Sequence, residues 1–126
     1  MKISKMLLLT SLFTLWSCHS LTVSENYKTL TALENGQTII MDVNNIYGFK
    51  FNECVGCASV WEIGKYDSNL MQYLRKEYSN RSCTDCLGGN QDVTFLFKAI
   101  SAGNTELIFT YFNDAMKYQI TIRRPD

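Results

Sequence analysis

The carboxy-terminal third of the chain alternates apolar and polar residues with a period of two, the pattern of half-buried strands. The alternating runs cover residues 93–100, 106–111 and 116–122. Ala102-Gly103-Asn104 separates the first two runs, and Phe112-Asn113-Asp114-Ala115 separates the second run from the third. Because short turns of this kind join neighbouring antiparallel strands, we expect a hairpin and then a third strand, together a three-stranded antiparallel meander.

Upstream, shorter runs predict further strands. Residues 27–32 and 37–43 flank the turn Glu34-Asn35-Gly36 and predict an earlier strand pair. Residues 60–63 are typical of a strand, whereas the spacing of residues 70–78 fits either a strand or a short helix. Six to eight short strands, with turns about every 8 to 12 residues and no alternation of strands with helices, predict an all-β fold, an antiparallel β-sandwich.

Length and charge limit the function classes. The chain has 126 residues, of which 46% are hydrophobic, and this favours one small globular domain. Its formal net charge is zero, and its basic residues form no run longer than Arg123-Arg124. Binding to nucleic acid through phosphates needs a clustered positive face, so that class is disfavoured.

The amino terminus has the pattern of an export signal. Lys2 and Lys5 precede the apolar stretch 6–16, which has the length of a signal-peptide core and is too short to span a bilayer. Leu15-Trp16-Ser17-Cys18 is similar to a bacterial lipobox, in which the cysteine is lipidated after cleavage. Cleavage nearby, for example after Ser20, is the alternative and would release a secreted protein.

These observations divide the chain into three expected segments. They are a lipoprotein signal peptide at residues 1–17, a tether at residues 18–27 that begins with the lipidated Cys18, and a β-sandwich domain at residues 28–126. We therefore expect an exported lipoprotein, anchored through Cys18 to the membrane of a bacterial cell envelope.

Four further cysteines form two Cys-x-x-Cys motifs, Cys54 with Cys57 and Cys83 with Cys86. In an oxidising compartment an even set of cysteines usually forms disulfides. The spacing of the two motifs also fits the ligand pattern of a zinc ribbon, so a structural zinc site remains the alternative to disulfides. A redox centre is a weaker alternative, because no strand-to-helix context surrounds either motif.

The residue inventory argues against an enzyme. The only histidine, His19, lies beside the lipobox cysteine and outside the expected domain, so no Ser/His or Cys/His pair can form within it. The carboxylates are scattered along the chain and are expected on a solvated surface. The sequence therefore predicts a protein without catalytic activity and without a cofactor.

Two loops and one strand pair resemble a known family. Asn52-Glu53-Cys54-Val55-Gly56, followed by Trp61, is similar to the Asn-Pro-Thr-Thr-Gly loop and later tryptophan of chagasin-type inhibitors of papain-like cysteine proteases. Leu87-Gly88-Gly89-Asn90 resembles the second, glycine-rich loop of that family. The run 93–103, followed by 107–111, resembles the scaffold strands, and the whole resemblance covers about residues 29–122.

The resemblance implies an immunoglobulin-like sandwich that occludes a protease cleft with loops at one end. Carried over by position, residues 52–56 form the central loop over the catalytic thiol, and residues 87–90 flank it. Phe112 and Asn113 stand where the third loop is expected, but the Arg-Pro-Trp of the family is absent after Tyr111. The partner implied is a papain-like cysteine protease, bound by a monomer.

The departures from the family pattern leave a second possibility. Glu53 replaces a proline, and Cys54 and Val55 replace two threonines. The alternative function is a surface-binding or structural module that keeps the scaffold and does not inhibit.

In this frame the two cysteine motifs fall at the same end of the sandwich. A bridge between them closes a loop of about 30 residues and would stabilise the fold by ~3–4 kcal/mol in the chain-entropy model. Bridges within each motif close only tiny loops. We therefore expect cross-loop pairing among Cys54, Cys57, Cys83 and Cys86, with zinc held between the same loops as the alternative.

Overall fold

The computed structural model of the chain describes residues 26–31, 33–57, 60–82 and 88–126. Eight strands lie in these ranges: β1 (Lys28–Leu30), β2 (Thr38–Asp42), β3 (Ile46–Cys54), β4 (Glu62–Lys65), β5 (Met71–Ser79), β6 (Asn90–Ala99), β7 (Gly103–Tyr111) and β8 (Asp114–Arg123). The expected signal peptide and the lipidation site Cys18 lie outside the described residues. Within them, no helix is long and apolar enough to cross a membrane.

The strands form two four-stranded sheets. Sheet A has the order β1-β3-β6-β5, and sheet B has the order β2-β8-β7-β4. The two sheets pack face to face around one core, so the predicted all-β sandwich is confirmed.

Every second residue of the central strands points into the core. Phe49 of β3 lies at its centre, with its ring centroid 5.8 Å from that of Phe97 in sheet A and 5.6 Å from that of Phe109 in sheet B. Tyr118 of β8 packs on the same ring from the second sheet, at 6.2 Å. The aromatic side chains bridge the space between the sheets and account for much of the buried apolar area.

The predicted three-stranded meander is wrong in its first half. β6 pairs with β3 and β5 in sheet A, whereas β7 pairs with β8 and β4 in sheet B. Residues 100–102 therefore cross from one sheet to the other, and of the three strands β6, β7 and β8 only the last two form a hairpin with each other. Two alternating runs present the same apolar row whether they lie side by side or face each other, so the pattern does not distinguish these arrangements.

The predicted pairing of the two amino-terminal strands is also wrong. β1 pairs with β3 in sheet A, and β2 pairs with β8 in sheet B. Both pairings are parallel, so each sheet carries one parallel edge pair beside its antiparallel pairs. The turn at Gly36, which has a φ of +83°, lies in the connection from β1 at the edge of sheet A to β2 at the edge of sheet B.

β3 is a central strand that sequence reasoning missed. Its inward residues Tyr47, Phe49 and Phe51 are buried and alternate with Gly48 and Lys50, so the period-two signal was present. The ambiguous run 70–78 is resolved as β5, and a register shift between its residues 73 and 75 explains the irregular spacing. β4 begins at residue 62, two residues later than predicted.

Candidate functional site

Three turn regions meet at one end of the sandwich. β3 ends at Cys54, which pairs with Asn90 where β6 begins, so the segments 55–57 and 88–90 are adjacent. β7 is antiparallel to β4, with Glu62 opposite Thr110, and therefore ends beside the start of β4. The β7–β8 turn at Phe112 and Asn113 consequently lies at the same end.

A stack of aromatic rings joins two of these regions across the sheets. The indole of Trp61 is stacked on Phe51 of sheet A, with centroids 4.5 Å apart, and on Tyr111 of sheet B, at 4.9 Å. Phe112 meets Tyr111 edge-on at 4.9 Å. Trp61 thus packs against the core, while Phe112 is 62% exposed at the tip of the hairpin, with a φ of +54°.

Glu53 holds the base of the central loop. Its side chain is 2% exposed, and its carboxylate accepts hydrogen bonds from the backbone N–H of Trp61 at 3.0 Å and from the Gln91 amide at 3.1 Å. The Trp61 indole N–H donates to the carbonyl of Asn52 at 2.9 Å, and the Lys76 ammonium donates to the Trp61 carbonyl at 3.1 Å. The Glu53 side chain therefore shapes the loop from inside, and Asn52 to Cys54 continue β3 before the turn begins.

The predicted cross-loop pairing is wrong for the first cysteine motif, because Cys54 and Cys57 are bridged to each other. Val55 and Gly56 form a turn, with Gly56 at a φ of +80°, which brings the two cysteine Cα atoms to 5.6 Å. This separation lies in the usual range for a disulfide. Cys83 and Cys86 lie outside the described residues.

A disulfide has no free thiolates, so in this structure the bridge removes two ligands from the four-cysteine zinc site considered above. Among the described residues, no group of three or more histidine, cysteine or carboxylate side chains could hold a metal ion.

Backbone hydrogen bonds connect the central turn to the glycine-rich segment. The N–H of Val55 donates to the carbonyl of Gly89 at 2.8 Å. The glycine-rich segment is also held to the residues that follow β5, because the N–H of Asn90 donates to the Ser82 hydroxyl at 3.0 Å. Gly88 and Gly89 have φ values of +104° and +94°, and the Ser82 side chain leaves no room for a Cβ at Gly89. Leu87 lies outside the described residues.

A polar cluster lines the sheet A side of the same end. The Asp92 carboxylate accepts a hydrogen bond from the Asn80 amide at 2.8 Å and a longer one from Asn52 at 3.4 Å, and it forms an ion pair with Lys50 at 3.3 Å. The Asn80 hydrogen bond, followed by those from Asn52 and Lys50, lowers the pKa of Asp92.

The structure thus brings most of the predicted site residues together. Those with exposed positions are Asn52, Gly56, Gly89, Asn90, Phe112 and Asn113, and Val55 and Gly88 are half-buried beside them. Sequence reasoning missed the inward direction of Glu53 and the place of Tyr111 in the aromatic stack. Their signal was the period-two alternation, which places both in the inward row of their strands.

Comparison with known proteins identifies the fold. No family model matches the sequence, and no curated protein matches it. Solved structures do match. The cysteine protease inhibitor EhICP2 from Entamoeba histolytica aligns with a TM-score of 0.61 and 15% identity, over 77% of this chain and 96% of that chain.

Two further structures align with this chain. Amebosin aligns with a TM-score of 0.64 and 10% identity, over 78% of this chain and 99% of its own. PbICP-C, solved in complex with falcipain-2, aligns with a TM-score of 0.55 and 12% identity, over 79% of this chain and 100% of its own. The described domain therefore has the fold of cysteine protease inhibitors, as the resemblance to the chagasin type predicted.

Proposed function

We propose that this chain inhibits papain-like cysteine proteases by inserting the turns at this end of the sandwich into the active-site cleft. The observation that carries the proposal is the convergence of three turns from both sheets, held together by the Trp61 stack and the Val55–Gly89 hydrogen bond. Two proteins of the same fold support it, because EhICP2 is a cysteine protease inhibitor and PbICP-C binds falcipain-2.

The tips of these turns suit a closed cleft. Val55, Gly56, Cys57, Phe112 and Asn113 carry no charge, and the Glu53 carboxylate is directed inward. Uncharged tips lose little solvation when they enter a pocket, whereas an exposed carboxylate would lose much more. Tips already fixed by hydrogen bonds and disulfide also lose less conformational entropy on binding.

The bridged turn 54–57 takes the central position in this proposal, and residues 88–90 and 112–113 flank it. Gly56 has no side chain, which allows its backbone to approach the cleft wall closely. The chain acts by occlusion, without catalysis and without a cofactor, and its partner is the protease.

Export belongs to the same proposal and rests on the amino-terminal pattern alone. Residues 1–17 direct export and are removed, and lipidation of Cys18 anchors a monomeric inhibitor to a bacterial cell-envelope membrane. There it meets proteases outside the cytoplasm.

The test is a titration of active papain with the purified chain, following hydrolysis of a fluorogenic peptide. A bulky side chain at the central tip is the decisive change, and Gly56→Trp should weaken inhibition by roughly 30-fold or more, the effect of losing a binding hot spot. Gly36→Trp is the matched control, since Gly36 and Gly56 have φ values of +83° and +80° and Gly36 has open space around its Cβ. Arg124→Ala, beyond the opposite end of β8, is a second control.

Each result has a defined meaning. Inhibition by the wild-type chain that only Gly56→Trp weakens supports the proposal. Equal weakening by both tryptophan variants assigns the loss to backbone strain. Absence of papain inhibition at micromolar concentrations of the chain contradicts the proposal and favours the non-inhibitory binding module.

A further inference from the structure

The Cys54–Cys57 disulfide lies at the tip that the proposed function places over the catalytic thiol. Cys57 is exposed, whereas Cys54 is half-buried and anchored by its pairing with Asn90 in the ladder between β3 and β6. Between them, Gly56 has no side chain, and an added Cβ there would meet only the backbone nitrogen of Gly88, at 3.8 Å. Cys57 is therefore the more exposed half of the bridge.

We infer that this disulfide is a thiol-exchange site for the catalytic cysteine of the target protease. The inference rests on the proposed function, because it needs the turn to enter the cleft. Papain-like enzymes hold their catalytic cysteine as a thiolate beside a histidine, and a thiolate is the species that attacks disulfides.

The step is a balanced exchange. The protease thiolate attacks the Cys57 Sγ, a new sulfur–sulfur bond forms between the two proteins, and the Cys54–Cys57 bond breaks. The Cys54 Sγ leaves with the bonding electron pair as a thiolate. The protease sulfur is oxidised to the disulfide level and the Cys54 sulfur is reduced, so no external oxidant or reductant takes part.

Attack at Cys57 is favoured over attack at Cys54 by access and by the position of the leaving group. A thiolate must approach along the sulfur–sulfur axis, and Cys57 presents the exposed end. The leaving Cys54 stays attached to the last residue of β3, next to the mixed disulfide. It can attack Cys57 again and release the protease, so the adduct is reversible and must be trapped.

The test mixes the oxidised full chain with active papain after all small thiols have been removed, and quenches with acid and then N-ethylmaleimide to cap the released thiolate. Non-reducing gels and intact mass spectrometry should show one papain joined to one chain that carries one more N-ethylmaleimide than the unreacted chain. Dithiothreitol should remove the species. Peptide mapping should join the papain catalytic cysteine to Cys57.

Two controls isolate the exchange. Papain whose catalytic thiol is blocked with iodoacetamide should give no adduct, and Cys57→Ser should lose the mapped adduct completely. Complex formation by size exclusion, measured in parallel, shows whether each variant still folds and binds. Gly36→Trp should retain the adduct.

The outcomes separate this inference from the function on which it rests. Inhibition by the wild-type chain without any adduct overturns the exchange site and leaves the proposed function intact. Absence of both inhibition and adduct overturns the proposed function and the exchange site together. An adduct mapped to Cys54, Cys83 or Cys86 overturns the assignment to Cys57.

Discussion

The Glu53 carboxylate accepts a hydrogen bond from the backbone N–H of Trp61 across 3.0 Å, and this contact connects the end of β3 to the segment that leads into β4. The chagasin-type pattern has a proline at the position of Glu53. In this chain a buried carboxylate instead fixes the chain on both sides of the bridged turn. The shape of the central loop therefore depends on a side chain that no partner can reach.

Glu53→Ala should lower the free energy of unfolding by ~1–3 kcal/mol, because it leaves the buried N–H of Trp61 and the Gln91 amide without their acceptor. Urea denaturation measures the change, and papain inhibition should weaken in parallel. Glu62→Ala, which removes an exposed carboxylate of β4, is the control and should change stability by less than about 0.5 kcal/mol. Equal effects of the two substitutions would contradict the role assigned to Glu53.

Gly48→Ala should destabilise the protein, although alanine ordinarily stabilises a strand relative to glycine. An added Cβ would lie 2.8 Å from the Thr94 Cγ2 and 3.2 Å from the Tyr27 ring, which covers this outer face of sheet A. Overpacking of this kind costs about 1–3 kcal/mol. Urea denaturation of a double-mutant cycle with Thr94→Ser, which removes the nearest methyl group, checks the cause.

The cycle gives a clear criterion. If the clash is with Thr94, the double variant should be less destabilised than the sum of the two single variants. Additive losses would place the clash elsewhere.

Asn80→Ala should raise the pKa of Asp92 towards its ordinary value, because the Asn80 hydrogen bond contributes most to lowering it. A carboxyl-carbon NMR titration measures the pKa directly. Since the pKa is lower in the folded than in the unfolded state, Asp92 stabilises the fold above the unfolded value, and this contribution is lost as pH falls through the folded value. The Asn80→Ala chain should therefore lose less stability on acidification.

Asn104→Ala serves as the matched control for that titration. Asn104 is an exposed asparagine near the start of β7, at the opposite end of the sandwich, where it accepts a hydrogen bond from Thr121. Its removal should leave the Asp92 titration unchanged. A shift of similar size in both variants would contradict the assignment to Asn80.

Tyr118→Phe should increase stability by ~1 kcal/mol or leave it unchanged, because it removes a buried hydroxyl that has no hydrogen-bond partner among the described residues. Burial also raises the pKa of Tyr118 from 10.0 to about 12. The Tyr118 hydroxyl therefore stays protonated to a higher pH in the native state than in the unfolded state. The stability that this difference in pKa contributes is complete below pH 10 and is lost as pH rises towards about 12.

Denaturation series at increasing alkaline pH measure this loss. The wild-type chain should lose stability more steeply between pH 10 and 12 than Tyr118→Phe does. Tyr78→Phe, at an exposed tyrosine, is the matched control for loss of a hydroxyl. Identical curves for wild type and Tyr118→Phe would contradict the assignment.

Much of the fold was accessible from local patterns. The inward rows of β6, β7 and β8 follow the alternation of apolar residues, because a strand with one face on a core must alternate. The same rule applies to β3, where the buried residues Tyr47, Phe49 and Phe51 lie at alternate positions. The location of the candidate site followed from the family resemblance of its turns.

Local patterns did not determine which strands are neighbours. Residues 100–102 and the turn at Gly36 are short enough to close a hairpin, yet both cross between sheets, because β6 already has partners on both edges and β2 pairs with β8. The pairing of Cys54 likewise differs from the cross-loop prediction. Chain entropy favours a long loop, but the Gly56 turn holds Cys54 beside Cys57.

The sequence by itself determined that the chain forms strands, which side of most strands is apolar, and where turns can form, because these properties depend on residues close together in the chain. Only the tertiary structure decided the sheet partners and the burial of Glu53 beneath Trp61. These depend on distances between residues that sequence separation does not specify, and they are set when both sheets pack on one core.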